Sequence, residues 1–185
     1  MLQIDKILYF WFGAHAKEAG RQAKWFVPDK AFDDAIKEQF FDDVEEALVG
    51  NLDEFAETAE SFLALIILLD QFPRNLFRGT AKSFAGDARA LALAKSALTL
   101  GYDRSLGQQQ NIFMYLPFQH SEVLKEQEKS VTLYGALGNE SSLDFANRHY
   151  DVIQRFGRFP GRNEALGRTS TPEEIKFLSE QKMGF

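Results

Sequence analysis

Three short stretches hold the side chains best suited to chemistry. Asp70-Gln71-Phe72-Pro73-Arg74-Asn75-Leu76-Phe77-Arg78-Gly79 gathers two arginines, an asparagine, a glutamine and an aspartate around one proline. Arginine offers a planar fork of donors that matches carboxylates and phosphates, so Arg74, Asn75 and Arg78 read as an anion site at a helix end. In the competing reading Arg74 and Arg78 satisfy helix carbonyls and pair with Asp70 or Asp87, as buried polar groups usually do. The second stretch is His120-Ser121-Glu122. His120 suits a general base or a ligand, with Glu122 as its partner. The plainer reading makes Ser121 a helix cap and sets Glu122 at the positive end of the helix dipole. No nucleophile elbow surrounds Ser121, so a serine hydrolase is not indicated.

The third stretch runs from Arg148 to Asn163. His149 shares an apolar stripe with Phe145, Val152 and Phe156, which suits a core histidine. Asp144, Arg148, Asp151 and Arg155 alternate on another face, as solvated pairs worth a few tenths of a kcal/mol each. Arg158, Arg162 and Asn163 fall on the Gly- and Pro-containing turn that follows, and such a turn can aim side chains into a cleft. The three histidines, His15, His120 and His149, lack any paired metal-ligand spacing, and the chain has no cysteine. There is no phosphate-binding glycine loop and no dinucleotide fingerprint. Neither a metal nor a cofactor is expected.

Helices must position these residues. Ile4, Ile7, Leu8 and Trp11 follow the i, i+3, i+4, i+7 rule up to Gly13. Pro28 and Asp29 open a longer helix with Phe32, Ile36, Phe40 and Val44 on one face and a stop near Gly50. Asp53 is placed to cap the next, which runs through the apolar stretch Phe62–Leu69 to Phe72 and ends at Pro73. Helices are also expected from Phe84 to Leu100, from Gln108 to Tyr115 and from Ser121 to Leu137, the last with Val123, Leu124, Val131 and Tyr134 turned inward. Another begins at Asn139 or Ser141 and runs through Phe156. Thr171-Pro172-Glu173-Glu174 is a capping box that starts the final one. No alternating strand pattern exceeds a few residues, so the fold class is all-α, in one domain over residues 1–185. One internal echo stands out: Gln71-Phe72-Pro73-Arg74-Asn75 resembles Arg158-Phe159-Pro160-Gly161-Arg162-Asn163.

Composition narrows the function classes. Eighteen of 185 residues are Phe and 45% are hydrophobic, enough for a substantial core. Net charge is −6, and residues 29–60 carry twelve acids against two lysines. That argues against nucleic acid, which needs a continuous basic face. No apolar run approaches the roughly 20 residues that span a bilayer, and the N-terminal residues lack a signal-peptide pattern. A cytoplasmic protein is expected, with no membrane and no nucleic-acid partner.

Taken together, Tyr9-Phe10-Trp11-Phe12-Gly13, Asp70–Gly79, Pro117-Phe118-Gln119-His120-Ser121-Glu122, Phe156-Gly157-Arg158-Phe159-Pro160 and Leu166-Gly167-Arg168-Thr169-Ser170-Thr171 resemble a bacterial family catalogued as domain of unknown function 924. The resemblance implies antiparallel helix pairs stacked as a tetratricopeptide-like, right-handed array. It brings no activity, cofactor or catalytic residue. Where the family commonly has a histidine before the Arg-Asn of its final motif, this chain has Gly161, which weakens any acid–base mechanism. The leading expectation is therefore a binding protein whose groove, lined by Arg74, Arg78, His120, Arg155, Arg158 and Arg162, takes an acidic peptide, a protein partner or a small anion. Two alternatives stay open. One is a small hydrolase- or lyase-type enzyme using His120, His149, Glu122 and the arginines. The other is an oligomerising domain that forms homo-oligomers through an exposed patch at Trp11, Trp25, Phe26 and Phe41.

Overall fold

The computed structural model describes residues 3–14, 25 and 27–180. Among them every regular element is helical: α1 (Ile4–Phe12), α2 (Lys30–Val49), α3 (Ala59–Ile66), α4 (Phe72–Leu76), α5 (Asp87–Leu100), α6 (Gln108–Gln119), α7 (Leu124–Leu137), α8 (Glu140–Phe156) and α9 (Pro172–Glu180). The chain divides into two compact units, Met1–Arg78 with Lys82–Pro117, and Gly79–Ala81 with Phe118–Phe185.

In the first unit the expected stripes become the core. Ile7, Leu8, Trp11 and Phe12 of α1 and Ile36, Phe40 and Val44 of α2 are buried. Asp29 caps α2 by accepting the amides of Ala31 and Phe32, and Gly50 closes it at φ 90°. The aromatic rings interlock: Phe10 stacks on Phe32 at 5.2 Å, while Phe113 meets Trp11 and Trp25 edge-on at 5.4 and 4.8 Å. Trp11 is 1% exposed and Trp25 9%, with the Trp25 indole N–H donating to the Trp11 carbonyl. The patch expected at Trp11 and Trp25 is thus interior, because their rings complete the core. Phe41 is half-buried, and Phe26 and His15 lie outside the described residues.

Several boundaries differ from the sequence reading. Thr58, not Asp53, caps α3, through a reciprocal pair of bonds with Ser61. Nor does the central helix stop at Pro73. It passes through a π turn, Ile67–Gln71, in which the Phe72 amide reaches back to the Ile67 carbonyl, and then continues as α4 with Pro73 in its first turn. Proline lacks an N–H and its ring clashes with the carbonyl four residues earlier. The wider winding lets the chain carry that proline onward. The carbonyl concerned belongs to Leu69, and Gly86 lies directly against it: a Cβ there would come within 2.9 Å of the Leu69 carbonyl carbon and nearer still to its oxygen. α5 begins just after, at Asp87 rather than Phe84, with Ala81–Phe84 forming a 3-10 turn.

The last turn of α6 leads into the second unit, since the helix continues past Tyr115 and through Pro117 to Gln119. α7 packs along α8. α7 starts at Leu124, later than expected, because Ser121 accepts the Val123 amide in a local turn instead of capping a helix. Tyr134 is buried as anticipated, but Val123 and Leu124 are 56% and 39% exposed, which corrects their inward placement. Val123 is the N-cap of α7 and Leu124 its first residue, so both stand at the end of the helix. Val152, Ile153 and Phe159 form a small core against which Phe156 and Phe177 pack. The box Thr171–Glu174 opens α9 with both reciprocal bonds made. No helix among the described residues is long and apolar enough to cross a membrane.

Candidate functional site

The candidate residues fall into separate clusters, one in each unit. In the first, the π turn and α4 direct Arg74 towards α5. Its guanidinium binds Asp87 through two bonds, of 2.8 and 3.0 Å, and donates to the Asp70 carbonyl. The Asp70 carboxylate, fully buried, lies 3.3 Å from the same nitrogen and also accepts from the Gln71 amide. Burial disfavours the Arg74 charge, but Asp70 and Asp87 outweigh it and hold the guanidinium protonated above its usual range. Asn75 donates to Asp33 at 2.7 Å, and Arg78 bonds the same carboxylate at 3.1 Å. Each member of this run is matched by an acid of its own unit, which is the structural alternative weighed above.

The second cluster is built from the end of α6, the start of α7, one face of α8 and the turn that follows α8. Glu122 accepts the Phe159 amide at 2.7 Å and two bonds from Arg168, at 2.7 and 3.0 Å. Burial would raise its pKa, but these donors and the nearby charges of Arg168 and Arg162 leave it lowered. A carboxylate held ionised by three donors is a poor proton acceptor. Arg158 binds Glu174 through two bonds, of 2.7 and 2.8 Å, and Asn163 donates to Glu174 and to Ser170. The Arg158 bonds, acting with the capping amide of Thr171, pull the Glu174 pKa down to about 2 despite its burial. Arg155 pairs with Glu173 at 2.7 Å on the surface, and Arg148 with Asp144 at 2.6 Å.

That leaves a group of a different character. The rings of His120 and His149 lie 6.4 Å apart, and His149 meets the edge of Phe159 at 5.5 Å. The Arg162 guanidinium stacks 4.5 Å from the centre of that same Phe159 ring and donates to the His120 carbonyl at 2.9 Å. His149 is bonded through Nδ1 to the Phe145 carbonyl at 2.8 Å. Both histidines are half-buried, so His149 is not the fully enclosed core residue of the plainer reading.

Sequence reasoning missed three residues that assemble this unit. Arg168 neutralises Glu122, and Phe159 is the platform for Arg162 and His149. Gln127, fully buried, donates to the carbonyls of Phe118, Gln119 and Ser121 and so closes the end of α6. A glutamine one turn into an otherwise polar helix start carries no signal of this, but Phe159 and Arg168 stand inside the quoted motifs. The internal echo is structural as well. In both copies the Phe is buried, the Pro opens a helical turn, the Arg donates to a backbone carbonyl and the Asn donates to a carboxylate.

Two open hollows, of about 440 Å³ beside Glu38 and Asp42 and about 490 Å³ beside Phe55 and Thr58, hold none of these residues. No group of three or more potential metal ligands occurs among the described residues. The fold and its polar clusters define an all-helical protein whose function is not revealed by any catalytic signature. The chain belongs to the family described as bacterial protein of unknown function (DUF924), whose model matches residues 7–182. A solved structure of a protein of unknown function from Agrobacterium tumefaciens is 42% identical, covers 96% of this chain and 97% of its own, and superimposes with a TM-score of 0.88. Comparison with curated proteins gives no match.

Proposed function

We propose that this is a binding protein whose second unit takes an anionic group at His120, His149 and Arg162, presented on tetratricopeptide-like helix pairs. The observation that carries the reading is the placing of the half-buried His149 imidazole and the Arg162 guanidinium against the Phe159 ring, with the half-buried His120 imidazole 6.4 Å from His149. A guanidinium fixed on an aromatic face is oriented before a ligand arrives, which lowers the ordering cost of binding. Guanidinium and imidazole N–H groups are donors suited to a carboxylate or phosphate, whether free or on an acidic peptide. Arg74, Asn75, Arg78, Arg155 and Arg158 are occupied by internal acids and are not part of this proposal, nor is Glu122. The antiparallel pairing of α7 with α8 supports the scaffold, and the lack of cysteine suits a reducing, cytoplasmic setting.

Titration calorimetry with inorganic phosphate, a dicarboxylate and an acidic peptide tests the proposal. A ligand held at 100 times its dissociation constant should also add about 2.7 kcal/mol of stability in a thermal melt. The response should vanish in His120→Ala and His149→Asn proteins that keep wild-type helicity. Absence of binding across the panel, or binding unaffected by both substitutions, rejects the site.

A further inference from the structure

Resting on that anion-site reading, we infer that Gln127 is a positioning residue of the site: it holds the backbone on both sides of His120 and, through the His120 carbonyl, sets where the Arg162 guanidinium stands. Gln127 lies in the first turn of α7 and is fully buried. Its side-chain Nε2 donates to the Ser121 carbonyl at 2.6 Å and to the Gln119 carbonyl at 2.7 Å, with the Phe118 carbonyl more distant at 3.5 Å. Carbonyl oxygens only accept, and all three converge on one end of the side chain, so that end is the NH2 and not the oxygen. The two N–H groups of one amide thus match two carbonyls that stand on either side of His120.

The carbonyl between them is the one that accepts from Arg162, at 2.9 Å. Each peptide is planar, so with the Gln119 and Ser121 carbonyls fixed, the His120 carbonyl has only the soft dihedrals of His120 and Ser121 left to turn about. This is also the point at which α6 ends, where carbonyls lose their helical partners and take whatever donor is near. On its other side Arg162 rests 4.5 Å from the centre of the Phe159 ring. A ring face attracts a cation without fixing its rotation. A hydrogen bond to a placed oxygen is directional and does fix it. Gln127 therefore acts on the guanidinium across one peptide unit, in the way that outer partners orient the groups that meet a ligand.

The test is calorimetric titration of the full chain with inorganic phosphate and with succinate, comparing wild type, Gln127→Met and Asn139→Ala. Methionine keeps the length of the side chain and removes both donors. Asn139→Ala removes the cap of α8, beyond the far end of α7, and so lowers the stability of the same unit without touching His120. The anion that binds the wild type should bind Gln127→Met about tenfold more weakly or worse, and Asn139→Ala within about twofold of the wild type. The ligand-free chain gives a second reading. The Arg162 Nη signals, separate in wild-type 15N spectra because the bond to His120 slows rotation of the guanidinium, should merge in Gln127→Met. If Gln127→Met does not fold, Gln127→Asn, whose amide stops one methylene short of the carbonyls, carries the same expectations. Undiminished affinity in the Gln127 variant, an equal loss in Asn139→Ala, or unchanged Arg162 signals would each overturn the inference and leave the anion site standing. Failure of both anions to bind the wild type would remove the site, and the inference with it.

Discussion

Replacing Gly86 by alanine is expected to destabilise the first unit, against the usual direction for that change. Glycine to alanine at an unstrained position normally stabilises by about 0.4–1 kcal/mol, because the unfolded chain loses freedom. Gly86 has φ −89°, which alanine adopts without strain. Space is the obstacle: the new Cβ would stand 2.9 Å from the Leu69 carbonyl carbon, where carbons prefer about 3.5–4.0 Å. Relief requires the start of α5 and the π turn to part by about 1 Å or more, because the Leu69 oxygen lies nearer than its carbon. The obstructing atoms are backbone in the most buried stretch of the chain, so no side chain can swing aside. Forced shifts of that kind cost about 1–3 kcal/mol. Set against the entropic gain, a net loss near 1–2 kcal/mol remains, or a fall in Tm of about 2–8 °C for a domain of this size. Gly135, in α7, is the control: its added Cβ meets nothing within 4 Å, and alanine there should stabilise by about 0.5–1 kcal/mol. Both tryptophans belong to the first unit, so their fluorescence in a urea titration follows that unit, while far-UV circular dichroism follows the whole chain. If Gly86→Ala melts at or above the wild type, the close approach of Gly86 to Leu69 is wrong and the account of the π turn falls with it.

Other consequences can be measured in the same assays. Arg74→Ala should cost about 3–5 kcal/mol by removing the guanidinium that neutralises the enclosed Asp70 carboxylate, whereas Arg78→Ala, half-exposed, should cost less than about 1 kcal/mol. Comparable losses for the two would contradict the difference in burial. Gln127→Leu removes the donor shared by three carbonyls and should cost about 1–3 kcal/mol in urea denaturation, and a neutral result would reject its capping role. Glu174 has its pKa lowered to about 2 from an ordinary value near 4.5, so its contribution is complete above about pH 4.5 and is lost as the pH falls towards 2. Glu174→Gln should flatten the acid limb of a Tm-against-pH curve, and an unchanged limb would show that the carboxylate contributes nothing there. Glu122, also lowered, should lose its contribution in the same direction, so Glu122→Gln is expected to be less stable at pH 7 and to approach the wild type in acid.

Much of the helical layout was legible because it rests on local rules. The apolar spacing of α1 and α2, the Asp29 cap and the Thr171–Glu174 box depend on neighbours within a turn, and each stands where the sequence put it. The π turn was not legible, since whether Pro73 ends a helix depends on what surrounds the Leu69 carbonyl, and that is settled by Gly86, thirteen residues after the proline. The polar clusters divide in the same way. The arginines could be recognised as partners of acids, but Glu122 with Arg168 and Arg78 with Asp33 are pairs about 45 residues apart that no spacing rule connects. The grouping of His120, His149 and Arg162 around Phe159 required the chain to fold back on itself after α8.

The π turn also acts as a phase shifter. One extra residue in regular winding would rotate everything beyond it by about 100° around the axis, and the wider π turn absorbs that residue. The heading of Arg74 towards Asp87 therefore depends on the π winding as much as on its own side chain. The same residues wound regularly would turn Arg74 away from α5 while leaving its identity intact. Deleting one residue between Ile67 and Gln71 would instead remove the π turn and keep Arg74 in phase with the helix before it.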